Sequence, residues 1–293
     1  MVRRKHWLAF VSLGVVWGTT WVASGVLAES VPPLRGAAVR FLLAALLFLP
    51  VILRKRLRLP RGRVLGFVFL VSVTMIVLPL LLLLWAQQHA LSATITVLYA
   101  AMPLLVSLLT PRGVPSGAMQ ASMVGLGAMI LVVGAGFSPA QAGGAAVGLL
   151  AVASAGASAL LVRRELRNVN PLLVTALVLG NAAWLLFLAS LALERGQPVQ
   201  WNRNAIGALL FLALVAGAPA YAIYFWLLQQ LETYKVVTVQ WVGPLVGILE
   251  TAFFLRLRLS FSMVAGSLVT LASLLVVMRA RAEDDNTVSL LGN

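Results

Sequence analysis

The chain has 293 residues, of which 61% are hydrophobic and only 10% charged, with a formal net charge of +14 and no cysteine. Soluble domains carry about a quarter charged residues, so this chain cannot cover itself in water, and its composition is that of a polytopic α-helical membrane protein. The missing cysteines exclude disulfides and thiol chemistry. The basic excess does not read as a nucleic-acid surface, because Lys and Arg stand in short clusters between apolar runs.

Hydropathy predicts ten spans. MVRRKH followed by WLAFVSLGVVWGTTWVASGVLA has the basic-then-apolar order of a signal peptide. Its apolar part exceeds the about 7–15 residues of an h-region, so a retained first helix over 7–27 is expected. ESVPP (29–33) leads into a second span, 34–53, and RKRLRLPRGR (54–63) reads as a loop beside anionic headgroups. Spans follow at 64–86, 91–109, 119–137, 144–162, 171–193, 204–231, 235–255 and 261–279, with short connections marked by Pro, Gly or charge. The segment 281–293 reads as a polar cytoplasmic tail.

With the N-terminus in the cytoplasm, 16 of the 22 Lys and Arg fall inside and four outside, while Arg35 and Arg40 lie in the second span. The positive-inside rule therefore places both termini in the cytoplasm.

The chain also repeats itself. A shift of 141 carries Gly66 onto Gly207, Trp85 onto Trp226, Gln88 onto Gln229, Pro103 onto Pro244, Leu104 onto Leu245 and Gly125 onto Gly266. A shift of 139 carries Pro32 onto Pro171 and Leu34 onto Leu173. Residues 1–140 and 141–280 would each hold five helices, an odd number, so the second half would enter from the opposite side. The expected fold is all-α, two inverted five-helix repeats around a central cavity, a plan of secondary transporters.

VVWGTTWVASG in the first span, Pro103 and Pro244 in the fourth and ninth, and Gly at the start of the fifth and tenth resemble the EamA family of the drug/metabolite transporter superfamily. The resemblance covers essentially the whole chain and is greatest to YddG-type exporters of aromatic and neutral amino acids. It implies a carrier of the bacterial inner membrane with a cavity built from both repeats, a small-molecule amino-acid substrate, and export as the direction. Many relatives carry a Gly-Glu pair after the fourth and ninth helices, where this chain has TPRGVPSG and LRLRLS.

Candidate substrate-binding residues come from the faces of the predicted helices. Trp17, Thr20, Trp21 and Ser24 recur at i, i+3, i+4 and i+7 and share one face. Gly14, Gly18 and Gly25 occupy an adjacent face suited to close packing. Trp7 reads as an interfacial anchor, whereas Trp17 and Trp21 lie too deep for one. Tyr99 and Met102 share a face ahead of Pro103, Tyr221 and Tyr224 follow Pro219, and Gln240 and Trp241 precede Pro244. Together they describe an aromatic-walled pocket with a few hydroxyl and amide partners, which suits a neutral amino acid with an apolar or aromatic side chain.

Pro79, Pro103, Pro219 and Pro244 are the candidate hinges, since a mid-helix proline frees a carbonyl and bends the helix. Gln87, Gln88 and His89 at one end, and Gln229 and Gln230 at the other, read as matching gates or as interfacial polar ends. Arg40 and Glu250 are the clear ionisable groups within spans, open to a structural pair, to snorkelling or to proton coupling.

An enzyme is not expected. The G-x-x-x-x-G-K-[ST] and G-x-S-x-G motifs are absent, the two His are at 6 and 89, and the only Asp residues are Asp284 and Asp285. No cofactor or metal is expected, and the unit is expected to be a monomer or weak oligomer in the lipid bilayer. The alternative within transporters is export of lipophilic cationic drugs or other small metabolites; a site for such cations calls for a buried carboxylate or a tight aromatic cage.

Overall fold

The structure, a computed structural model, describes residues 2–110, 113–134, 139–254 and 260–280. The expected tail over 281–293, Arg112, Arg256 and Arg258 lie outside the described residues. Among the described residues every regular element is helical and no strand occurs. Among the described residues eight helices are long and apolar enough to cross a bilayer, and a shorter apolar helix, Thr94–Leu109, occupies the fourth expected span. The ninth contains a helix of 16 residues, Val239–Phe254. In lipid every backbone polar group must be satisfied within the protein, which is why the regular elements of the apolar runs are helices.

The first span is a single helix, α1 (Arg4–Ala28), and the second comprises α2 (Pro33–Leu46) and α3 (Leu49–Arg54). The third comprises α4 (Arg63–Val71), a π-helical segment (Ser72–Val77) and α5 (Leu78–His89). The fourth is broken at Ala101 into α6 (Ser92–Ala100) and α7 (Met102–Leu109). There follow α8 (Ser116–Val133), α9 (Ala142–Glu165) and α10 (Pro171–Leu193). The eighth span is α11 (Arg203–Leu214) and α12 (Ala218–Gln230); a short α13 (Thr233–Val236) precedes α14 (Val239–Phe254), and α15 (Phe261–Arg279) closes the fold.

The helix ends follow from local chemistry. Proline stands in the first turn of α2, α7, α10 and α12, where its missing N–H has no intrahelical partner to lose. Asn170, Asn202 and Ser260 cap α10, α11 and α15 by accepting from Leu172, Ala205 and Met263 N–H groups. Gly134 ends α8 at φ 65, in the left-handed region that glycine enters without a Cβ penalty.

Helices pack in a recurring pattern: α2 against α10, α8 against α15, α1 against α11, α12 and α14, and α9 against α5, α6 and α7. Small residues set the closest approaches. A Cβ at Gly14 would stand 2.6 Å from the Val242 side chain, and one at Gly18 would stand 2.5 Å from Val246, so α1 and α14 meet almost backbone to side chain. Gly25, expected on the same packing face, has nothing within 4 Å of its Cβ position. The pairing of α2 with α10 is fixed at one end by Glu194, whose buried carboxylate accepts from Leu34 N–H at 2.6 Å and Arg35 N–H at 2.9 Å. That anion meets the orphan donors and positive dipole end of α2.

Candidate functional site

The third and eighth spans are both interrupted, in different ways. In the π segment the N–H of Leu78 bonds to Val73 O, so the next carbonyl in that register, Thr74 O, would be the partner of residue 79. Pro79 has no N–H to give it. The Ser154 hydroxyl of α9 donates to Thr74 O at 2.7 Å instead, and Ser158 donates to the Thr74 hydroxyl at 2.6 Å. The eighth span breaks at 215–217, and Pro219 restarts the helix. A Cβ at Gly217 would lie 2.7 Å from Ala213 O, so glycine permits the chain to fold back on its own carbonyls there. Pro103 begins α7 just after the break at Ala101, and Pro244 lies inside α14.

These irregular segments border one cavity of about 230 Å³. It is lined by Trp17, Thr20, Trp21, Tyr99, Met102, Tyr221, Tyr224 and Gln240, eight of the nine candidate binding residues, with Pro244 beside them. Arg40, Phe41, Met75, Thr96, Ala155, Leu212, Ala216, Gly217, Val239 and Gly243 complete the wall. Of the candidate hinges only Pro244 touches the cavity; Gly217 and Met102 reach it from the breaks at Pro219 and Pro103.

The aromatic groups form a connected wall. Trp17 lies edge-on to Tyr221 at a centroid distance of 5.5 Å and tilted on Tyr224 at 5.0 Å, and Phe41 meets Tyr221 edge-on at 5.9 Å. The Arg40 guanidinium stands 4.5 Å from the Phe41 ring centre. Its Nε is buried and has no hydrogen-bond partner among the described residues.

Trp241 is placed elsewhere. Its ring is fully buried against Gly125, whose Cβ would meet it at 2.6 Å, and its Nε1 donates to Ala100 O at 2.7 Å. Consecutive helical residues point about 100° apart, so Gln240 faces the cavity while Trp241 pins α14 to the fourth span. Arg40 and Glu250 do not form a pair: Glu250 lines a separate groove with Arg203, Thr19 and Phe211. The Thr20 hydroxyl donates to Trp17 O at 2.6 Å, so it borders the cavity with its hydrogen already committed. Phe41, Met75 and Thr96 were missed in the sequence. Thr96 carried a usable signal, because it lies one turn ahead of Tyr99 on the face already chosen.

The two ends of the molecule differ. At the end that carries the N-terminus, Gln229 is buried and donates to Leu166 O at 2.9 Å and Val169 O at 3.0 Å. Arg163 donates to Leu231 O, and Lys235 donates to Ala280 O at 2.6 Å while pairing with Glu232 at 3.2 Å. Burial would raise the Glu232 carboxyl, but a backbone hydrogen bond and the Lys235 ammonium outweigh it and hold the group below its ordinary 4.5. At the opposite end Gln87, Gln88 and His89 are exposed, and His89 stacks on Trp85 at 3.9 Å. Gln141 provides the polar tie there, accepting from Thr94 at 3.1 Å and Leu91 N–H at 3.5 Å.

A chain of membrane-spanning helices with interrupted segments around a central cavity has the form of a transporter. Residues 5–111 and 142–279 match the EamA-like transporter family, and the chain belongs to that family. It is 23% identical over 258 residues to the protein PagO of Salmonella typhimurium, covering 82% of each chain. It is 22% identical over 274 residues to the uncharacterized transporter YoaV of Bacillus subtilis, covering 90% of this chain and 94% of that one. A third relative, the uncharacterized transporter YvbV of Bacillus subtilis, is 27% identical over 284 residues, 92% of this chain and 90% of its own. One solved crystal structure superposes on the whole of both chains with a TM-score of 0.80 at 17% identity, which establishes a shared fold. The protein is thus a multi-pass membrane protein of a transporter family.

Proposed function

We propose that this protein is a secondary carrier that moves neutral and aromatic amino acids by alternating access at the central cavity, and that it is not an enzyme. The observation that carries the reading is the aromatic-walled cavity of about 230 Å³, walled by α1, α2, α6 and α7 from one half and α9, α11, α12 and α14 from the other. Its volume lies below the about 300–1,000 Å³ of drug-sized sites, which favours a small solute. A lipophilic cation would meet the fixed charge of Arg40 and no acidic side chain on the wall. Export as the direction, the bacterial inner membrane, cytoplasmic termini and a monomeric or weakly oligomeric unit complete the reading, on the family resemblance and the basic-loop bias.

The same reading makes the two halves, residues 1–140 and 141–280, inverted five-helix repeats. The helix pairing supports it. The second and seventh spans pack on each other, as do the fifth and tenth, while the first meets the eighth and ninth as the sixth meets the third and fourth. Trp241 donates to Ala100, a residue 141 positions earlier, so counterparts under the repeat touch, as they must beside a two-fold axis.

Counterflow of radiolabelled phenylalanine in proteoliposomes tests the function. Saturable exchange is expected, reduced at least about tenfold by Trp17→Ala and Tyr224→Ala in protein that remains folded. Exchange that both variants retain would remove the site, and exchange of a lipophilic cation without any amino acid would replace the substrate class.

A further inference from the structure

Arg40 lies in the second turn of α2, about 10 Å along the helix from Pro33, and helps wall the central cavity. An arginine cannot shed its proton in a protein, so this is a permanent cation with five donors in a planar fork. Arg40 is half-buried with its Nε out of contact with solvent, and a charge withdrawn from water is ordinarily paired. Here Nε donates to no group among the described residues, and the two ion pairs found among them, Arg164 with Glu165 and Lys235 with Glu232, are elsewhere. Among the described residues no Asp or Glu stands on the cavity wall. The contact recorded for the guanidinium is the face of Phe41, which joins it directly to the aromatic wall formed by Tyr221, Trp17 and Tyr224.

We propose that Arg40 is the carboxylate subsite of the cavity, so that the carrier selects solutes with a carboxylate next to an apolar or aromatic body and does not require their amino group. This deepens the reading of the cavity as the transport site and rests on it. The fork matches a carboxylate with two parallel N–H···O bonds, while the rings beside it receive the apolar body. An ammonium finds no carboxylate among the residues of the wall, and meets hydroxyl, amide and phenol oxygens and ring faces, all uncharged. The carboxylate is therefore the group that the site cannot do without. A site that hydrogen-bonds a substrate group through buried polar atoms rejects analogues lacking that group far more strongly than it senses a change in apolar bulk.

The test is counterflow of three radiolabelled compounds, phenylalanine, phenylpropionate and phenethylamine, in proteoliposomes holding the wild-type protein, Arg40→Gln or Arg40→Lys. Phenylalanine and phenylpropionate are expected to exchange and phenethylamine to fall at least about tenfold below both. Arg40→Gln is expected to lose the two acids, and Arg40→Lys to recover part of their exchange as a point charge without the fork. The wild-type comparison needs no variant to fold. Phenethylamine exchanging as well as phenylpropionate would overturn the carboxylate subsite while phenylalanine exchange still upheld the carrier. Phenylpropionate exchange without phenylalanine would uphold the subsite and remove the amino-acid reading, and exchange of none of the three would overturn both.

Discussion

Trp85 and Gln88 at one end of the molecule, and Trp226 and Gln229 at the other, occupy the same register 141 residues apart, yet their surroundings have little in common. Gln229 is buried and satisfies two carbonyls on the connection between α9 and α10, and Trp226 is covered by His6 at 5.3 Å and Lys5 at 5.7 Å. Gln88 is exposed, and Trp85 has 45% of its surface exposed. One end is laced together across four spans by Arg163, Gln229 and Lys235; the other rests mainly on Gln141 and on the close approach of Gly144 to the His89 backbone. Like residues in equivalent places are therefore not doing like work in this conformation. In a two-state carrier this is the expected appearance of one state, in which the bonds that seal one end are made and their counterparts are open.

The contrast can be broken most strongly at Gln229. Gln229→Ala leaves the carbonyls of Leu166 and Val169 without their donor and is expected to cost about 1–3 kcal/mol, read as a lower unfolding midpoint in detergent. Gln88→Ala should stay within about 0.5 kcal/mol, and equal losses at the two positions would erase the distinction. A smaller loss, about 1 kcal/mol, is expected for Lys235→Met, which removes the bond to Ala280 O and the partner of Glu232.

Acid should act on the same end. The Glu232 carboxyl is lowered in the folded protein, so its contribution is present above its ordinary 4.5 and is lost as pH falls through the lower folded value. Stability measured from neutral pH down through that range should decline more in the wild type than in Glu232→Gln, and parallel curves would remove Glu232 from the seal. The smallest effect is expected at the open end, where His89→Ala gives up a stack on an exposed indole, within about 0.5 kcal/mol.

Much of the helical layout was legible in the apolar runs. The expected 171–193 and 261–279 coincide with Pro171–Leu193 and Phe261–Arg279. The breaks at Leu47–Phe48 and Ala101 were not, because hydropathy measures composition over a window and is blind to where the hydrogen-bond register slips. Trp17, Tyr99, Tyr221 and Tyr224, singled out by helical spacing and, for the tyrosines, by their places beside Pro103 and Pro219, line one cavity. Trp241 could not be told from Gln240, since the face of a residue near a helix start depends on where that helix begins. The relation of Arg40 to Glu250 was equally beyond the sequence: each is plain within its span, and only the packing of α2 and α14 puts them in different cavities.

The measurement that tests alternating access most directly uses the absence of native cysteine. Ala216→Cys places one thiol on the cavity wall at a position that is 4% exposed. The variant would be labelled with a membrane-impermeant maleimide from each side of the membrane in turn, with and without phenylalanine. The expected result is reaction from both sides at unequal rates, slower from the side that Gln229 and Lys235 seal, with phenylalanine protecting the thiol. A thiol that reacts from one side only, at a rate phenylalanine leaves unchanged while transport continues, would contradict a central cavity opened alternately to the two faces.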